Sequence, residues 1–69
     1  MKYRSSVTQR EFEFSDCIFL LNPVQVSRFI KHGATLLDLH VGRDNKLCFT
    51  FSRSETRDLM TRWINHELD

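Results

Sequence analysis

Residues 35–52 read TLLDLHVGRDNKLCFTFS, and this stretch decides the fold. Leu37, Leu39 and Val41 alternate with Asp38 and His40, while Leu47, Phe49 and Phe51 alternate with Cys48 and Thr50. A period of two marks a pair of half-buried antiparallel strands. Directly opposed residues share a face, so the pattern sets the register: Val41 opposite Leu47, Leu39 opposite Phe49, Leu37 opposite Phe51. That gathers the six apolar side chains on one side. It leaves Arg43, Asp44 and Asn45 as the loop, with Asn45 suited to a left-handed backbone position. On the other, wetter face the same register sets His40 opposite Cys48 and Asp38 opposite Thr50. A hairpin of this size is marginal alone, so the rest of the chain is expected to cover its apolar face.

On the C-terminal side, Ser52 and Glu55 have capping-box spacing, with Ser54 as the alternative cap. Leu59, Met60, Trp63, Ile64 and Leu68 then fall on one helical face. On the N-terminal side, Asn22 is a good N-cap, Pro23 fits the first helical position and Gly33 fits just past the end. Leu21 and Val26 have the spacing of a hydrophobic staple. Val26, Phe29 and Ile30 form the buried stripe; Gln25, Arg28, Lys31 and His32 face water. Further upstream, residues 10–14 alternate, Phe12 and Phe14 against Glu11 and Glu13, as a third strand would. A bulge or turn at Ser15–Asp16 spares Asp16 from burial. The run CIFLL, residues 17–21, has no alternation, which means cover on both sides, whether strand or helical turn. Residues 1–8 are polar and expected to fray.

These elements predict an α+β fold in one domain spanning residues 1–69. It is a small two-layer structure, an antiparallel sheet of three or four strands with two helices on one face, in the order strand, helix, strand, strand, helix. At 69 residues such a core rarely yields more than roughly 3–5 kcal/mol, so a partner or self-association would help. With 41% hydrophobic and 28% charged residues, the composition argues against disorder. A formal net charge of +1 without charge blocks lacks the basic stripe of dedicated polyanion binders. The run 17–21 is too short to span a bilayer, and no leader-like apolar segment precedes it. Two cysteines, Cys17 and Cys48, then suit free thiols in a reducing cytoplasm, with no membrane association.

The segment from about Asn22 to Leu68 is similar to a family of small uncharacterised bacterial and phage proteins. A short helix ending in HGATLL, a hairpin bearing KLCFTF and a helix of the form RDLMTRWINHEL carry the likeness, through Phe29, Gly33, Leu37, Phe49, Phe51 and Trp63. This chain departs from the pattern at Ser27 and Arg28, where that family commonly has small residues. Residues 10–21 have no clear counterpart in it. The resemblance implies an accessory protein of a bacterium or phage and brings no activity with it.

Four chemistries compete. On the wetter hairpin face, Cys48 opposite His40 would make a thiolate if Asp38 oriented the imidazole. A flat sheet face, however, offers no oxyanion donors, so no catalytic residue is assigned. Cys17, His32, His40, Cys48 and His66 match no paired ligand spacing, so neither a metal nor a cofactor is expected. Arg28, Lys31, Arg43 and Lys46 are the candidates for weak nucleic-acid binding through a basic patch. Single-strand recognition also needs exposed aromatics, and here Phe12, Phe14, Phe29, Phe49, Phe51 and Trp63 are all taken up by the predicted core. Ile18, Phe19, Leu21 and Leu36 exceed what one small sheet and two helices need. These four are the expected contact residues for a protein partner or a homodimer, in a non-enzymatic regulatory or accessory module.

Overall fold

The computed structural model describes all 69 residues. Five strands and two helices follow one another as β1 (Lys2–Arg4), β2 (Glu11–Glu13), β3 (Cys17–Leu20), α1 (Pro23–Lys31), β4 (Asp38–Val41), β5 (Leu47–Ser52) and α2 (Arg53–Ile64). The main sheet is antiparallel in the order β3-β5-β4, and β1 and β2 form a separate antiparallel pair. The fold is α+β.

From Asp38 to Val41 the central hairpin has the register its alternation predicts: Val41 faces Leu47, His40 faces Cys48, Leu39 faces Phe49 and Asp38 faces Thr50. The expected Leu37–Phe51 pair does not form: β4 begins only at Asp38, and Leu37 N donates to Thr50 O at 2.8 Å, the carbonyl of the residue that Asp38 already faces. Gly42 N donates to Lys46 O, closing a loop of Arg43, Asp44 and Asn45, and Asn45 takes the left-handed backbone with φ 59°. Asn22 caps α1 by accepting from the Val24 and Gln25 amides, and Gly33 follows the helix with φ 97°. Ser52 caps α2 by accepting from Glu55 N at 3.2 Å. The Glu55 carboxylate does not reach back to Ser52, as a capping box would have it. It accepts from Thr35 N at 2.7 Å and ties α2 to the segment that enters β4.

The core lies between the sheet and the two helices. Leu20, Phe51, Val26, Phe29, Leu59, Ala34 and Leu68 form it, with Ile18, Leu36, Phe49, Met60 and Trp63 packed against it. Phe29 and Phe51 meet edge to face at 6.1 Å, both fully buried. The helical stripes shift from expectation at their margins. Ile30 and Ile64 are exposed, whereas Gln25 is buried, its amide donating to Met60 Sδ at 3.6 Å. Both helices are short, and each meets the sheet over a narrow stripe, so the residues at its border turn out to solvent.

Three expectations are corrected. The third strand of the main sheet is β3, from the run 17–21, and not residues 10–14. A single 3-10 turn over Phe14–Asp16 lies where a bulge or turn was expected and separates the two candidates. Residues 1–8 do not fray at their start: β1 pairs with β2, and Ser5 is only 2% exposed. The strand count before α1 is therefore three, so the order strand, helix, strand, strand, helix gains a hairpin at its beginning.

The hairpin's two faces also differ from their pattern. Val41 and Leu47, near its tip, lie beyond the helices and are exposed, while Cys48 and Thr50 on the supposedly wet face are buried. The reason is the loop between β1 and β2, which docks on that face. Thr8 Oγ1 donates to Leu37 O at 2.6 Å, Arg10 Nη1 donates to Leu36 O at 3.0 Å, and Ser5 Oγ donates to Asp38 Oδ1 at 2.6 Å. Under this cover the Thr50 hydroxyl is left without any hydrogen-bond partner. A buried, unpaired hydroxyl carries its desolvation cost uncompensated, so Thr50→Val is expected to stabilise the chain by about 1 kcal/mol. The expected reading is a higher urea midpoint at unchanged slope. A lower midpoint would mean that the hydroxyl is satisfied in solution.

Candidate functional site

The face opposite the helices carries an exposed aromatic row that spans both sheets. It begins in β1 and β2, where Tyr3 stands opposite Phe12 and their rings stack at 6.0 Å. Alternation explains why these two point the same way, while Lys2, Glu11 and Glu13 take the other side of the small ladder. Tyr3 then meets Phe14 at 5.5 Å, Phe14 meets Phe19 at 6.1 Å, and Phe19 meets the His40 ring edge-on at 6.2 Å. Phe14 reaches the row because the 3-10 turn redirects the chain from the small sheet to the main one. Tyr3, Phe14 and Phe19 are 44%, 53% and 47% exposed. Together with Arg4, Phe12, Asp38 and His40 they line a groove of about 340 Å³. Exposed large apolar groups that touch one another, not scattered singly, mark a contact surface.

The charges around the row cancel locally. Lys2 stands opposite Glu13 and Arg4 opposite Glu11, so each base is matched by an acid across the ladder. The N-terminal amine also pairs with Glu13. In the floor, Asp38 is held by Ser5, and its other oxygen lies 3.8 Å from His40 Nδ1, a distance for an ion pair only when the imidazole is protonated.

Asp38, His40, Cys48 and Thr50 do share one face, as their alternation implies. Their surroundings do not favour a thiolate. No hydrogen bond joins His40 to Cys48, and burial, followed by the nearby Asp38 carboxylate, pushes the Cys48 thiol above its ordinary pKa. Burial pushes the Cys17 thiol up as well, and Cys17 Sγ donates to Phe14 O at 3.0 Å. Thiolate character is what a nucleophile requires, and both environments oppose it. Nowhere do three His, Cys, Asp or Glu side chains come together in a way that could hold a metal ion. No helix is long and apolar enough to cross a membrane.

The four residues assigned to protein contact separate. Phe19 lies at the centre of the aromatic row, and Leu21 is exposed just before α1. Ile18 and Leu36 turn to the helix side and pack against the core. Of the basic candidates, Arg28 is engaged, its guanidinium 5.6 Å above the Trp63 ring and its Nη1 donating to Leu68 O. Lys31 is exposed one turn further along α1, whereas Arg43 and Lys46 are exposed at the hairpin tip. They make two pairs on separate elements.

The sequence pattern points to no site at Tyr3 or Phe14 and predicts Phe12 and Phe14 in the core. The signal that identifies them is the match of Lys-Tyr-Arg at residues 2–4 to Glu-Phe-Glu at residues 11–13, with opposite charges flanking an aromatic on each side. Paired antiparallel, these two tripeptides place both rings on one face and set the charges against each other on the other.

Comparison of the chain with protein-family models, with curated proteins and with solved structures finds no match in any of the three.

Proposed function

We propose that this chain is a non-enzymatic protein-interaction module whose contact surface is the aromatic row centred on Phe19, with Tyr3 and Phe14 beside it. The observation that carries this reading is the continuity of the exposed rings, four ring-to-ring contacts running from Phe12 to His40. Aromatic side chains bring large rigid contact areas at little entropic cost and dominate protein interfaces. The charged lining, Arg4 against Asp38 with His40 beside it, would discriminate between partners by charge. We infer a regulatory or accessory role, in a phage or mobile element, on the sequence resemblance of Asn22–Leu68 alone.

The second reading, weak binding of nucleic acid, draws on the same exposed rings, since bases stack on aromatic faces. The balance of Lys2 and Arg4 against Glu13 and Glu11 speaks against it, because a phosphate backbone would meet as many acids as bases. Arg28, Lys31, Arg43 and Lys46 remain its candidates, through a basic patch away from the row.

Capture from a host lysate with wild-type protein and with the double variant Phe14→Ser, Phe19→Ser separates the readings. The protein-contact reading expects a captured protein that withstands salt and is lost with the double variant. Captured nucleic acid that falls away steeply between roughly 50 and 200 mM salt, and is lost when Arg43 and Lys46 are replaced, would reverse the order. Absolute mass from light scattering at two concentrations shows whether the captured protein is a second copy of this chain.

A further inference from the structure

Because β5 is central, β3 is an edge strand of the main sheet. Hydrogen bonding alternates along an antiparallel ladder, and the Gly42–Lys46 pair sets its phase. Residues 48 and 50 of β5 then bond to β4, and Phe49 and Phe51 bond to Leu20 and Ile18 of β3. Phe19 therefore directs its own N–H and C=O away from the sheet. Unpaired groups on such an edge are a template for another strand.

Alongside this edge runs a groove of about 270 Å³ between β3 and α2, lined by Ile18, Arg53, Thr56, Arg57, Met60 and Thr61. Its floor is apolar, from Ile18 and Met60. Its two hydroxyls are already used, Thr56 Oγ1 donating to Ser52 O and Thr61 Oγ1 to Arg57 O. What remains is two exposed guanidiniums. The carboxylates within ion-pair distance of a base are Glu13, beside the Met1 amine, and Asp38, beside the His40 ring, so Arg53 and Arg57 have no acidic partner. Asp16, the acid whose charge Arg53 feels, already accepts from Ser54 Oγ, Ser52 Oγ and Ser54 N, and these bonds, the Ser54 hydroxyl foremost, hold its carboxyl below the usual range.

We propose that the outer edge of β3 takes up, as an added strand, an extended segment of a partner protein in which acidic and apolar residues alternate. This rests on the protein-interaction reading and names the partner's chemistry. Strand addition sets the alternation. A residue opposite Phe19 turns its side chain to the aromatic row and is apolar; the neighbour opposite Ile18 turns to the α2 groove, toward Arg53 and Arg57, and is acidic.

The probe is a fluorescein-labelled decapeptide of alternating Glu and Val, with an alternating Lys and Val decapeptide as control. Fluorescence anisotropy should report binding of the acidic peptide alone, weakened at least about tenfold by Arg53→Glu with Arg57→Glu. The charge-reversed protein should prefer the Lys peptide, and hydrogen exchange at the Phe19 amide should slow when peptide is bound. Equal binding of both peptides, indifference to the Arg variants, or an unprotected Phe19 amide would overturn the assignment. So would a dimer on light scattering with the Phe19 amide protected before peptide is added, since the edge would then belong to a second copy. If the peptide fails while Phe14→Ser with Phe19→Ser still abolishes capture of a host protein, only the strand-addition inference falls and the aromatic contact surface stands.

Discussion

Phe51→Ala should leave this chain without a cooperative native state. Phe51 lies on the central strand, is fully buried, and meets Phe29 edge to face between the sheet and α1. Truncating a buried Phe costs about 3–5 kcal/mol, through lost transfer free energy and the cavity left behind. A domain of this size holds roughly 3–5 kcal/mol in all, so one side chain accounts for about the whole margin. Near-ultraviolet circular dichroism and urea titration are the measurements: the variant should lack the near-ultraviolet signal and a sigmoidal transition. Leu47→Ala provides the contrast. Leu47 belongs to the same row of alternating apolar residues but is 51% exposed, so its truncation should shift stability by less than about 1 kcal/mol. Equal losses for the two variants would mean that the helices cover the whole hairpin.

Ser5→Ala should release the N-terminal hairpin from the sheet at a cost of about 2–3 kcal/mol. The Ser5 hydroxyl accepts from Val7 N and Thr8 N and donates to Asp38 Oδ1, and the residue is almost fully buried. Alanine leaves two amides and a carboxylate oxygen without that partner; kept dry, each would cost roughly 1–3 kcal/mol, so opening the hairpin to water is the cheaper outcome and caps the loss. The opening is expected to be local, because the helix-side core does not include Ser5. Cys48 is the reporter. It is buried on the face that carries no helix, and loss of the cover should let its raised thiol pKa fall back toward the ordinary value. On a Cys17→Ser background, labelling of Cys48 by a thiol reagent should accelerate in Ser5→Ala while the far-ultraviolet spectrum stays near that of the parent. An unchanged labelling rate would show that the N-terminal hairpin is not what protects this face.

The candidate surface was legible in part. Phe19 stood out as an apolar residue beyond the needs of a small core, and it is the hub of the aromatic row. Ile18 and Leu36 look equally surplus, but both are partly buried and pack against the core. Within an unalternating run, parity cannot be read from composition. It is set by the pairing of β3 with β5, which opposes Ile18 to Phe51 and Phe19 to Thr50. Phe12 and Phe14 were misread for the complementary reason. Their alternation is genuine, but the apolar side of β2 faces Tyr3 and the groove instead of the helices.

By itself the sequence determined what depends on near neighbours along the chain. The register of residues 38–41 against 47–50, the loop with Asn45 in the left-handed position, and the Asn22 and Ser52 caps all follow from residues a few positions apart. Tertiary structure alone decided which strand completes the main sheet, and that the segment 1–10 folds back over the outer face. Both choices pair segments some thirty residues apart, such as Ser5 with Asp38 and Phe19 with Thr50. Alternation says that a face is apolar but not what lies against it. The exposed aromatic row and the free edge of β3 exist because β5 has only two sides to offer, and the hairpin with β4 had already taken one.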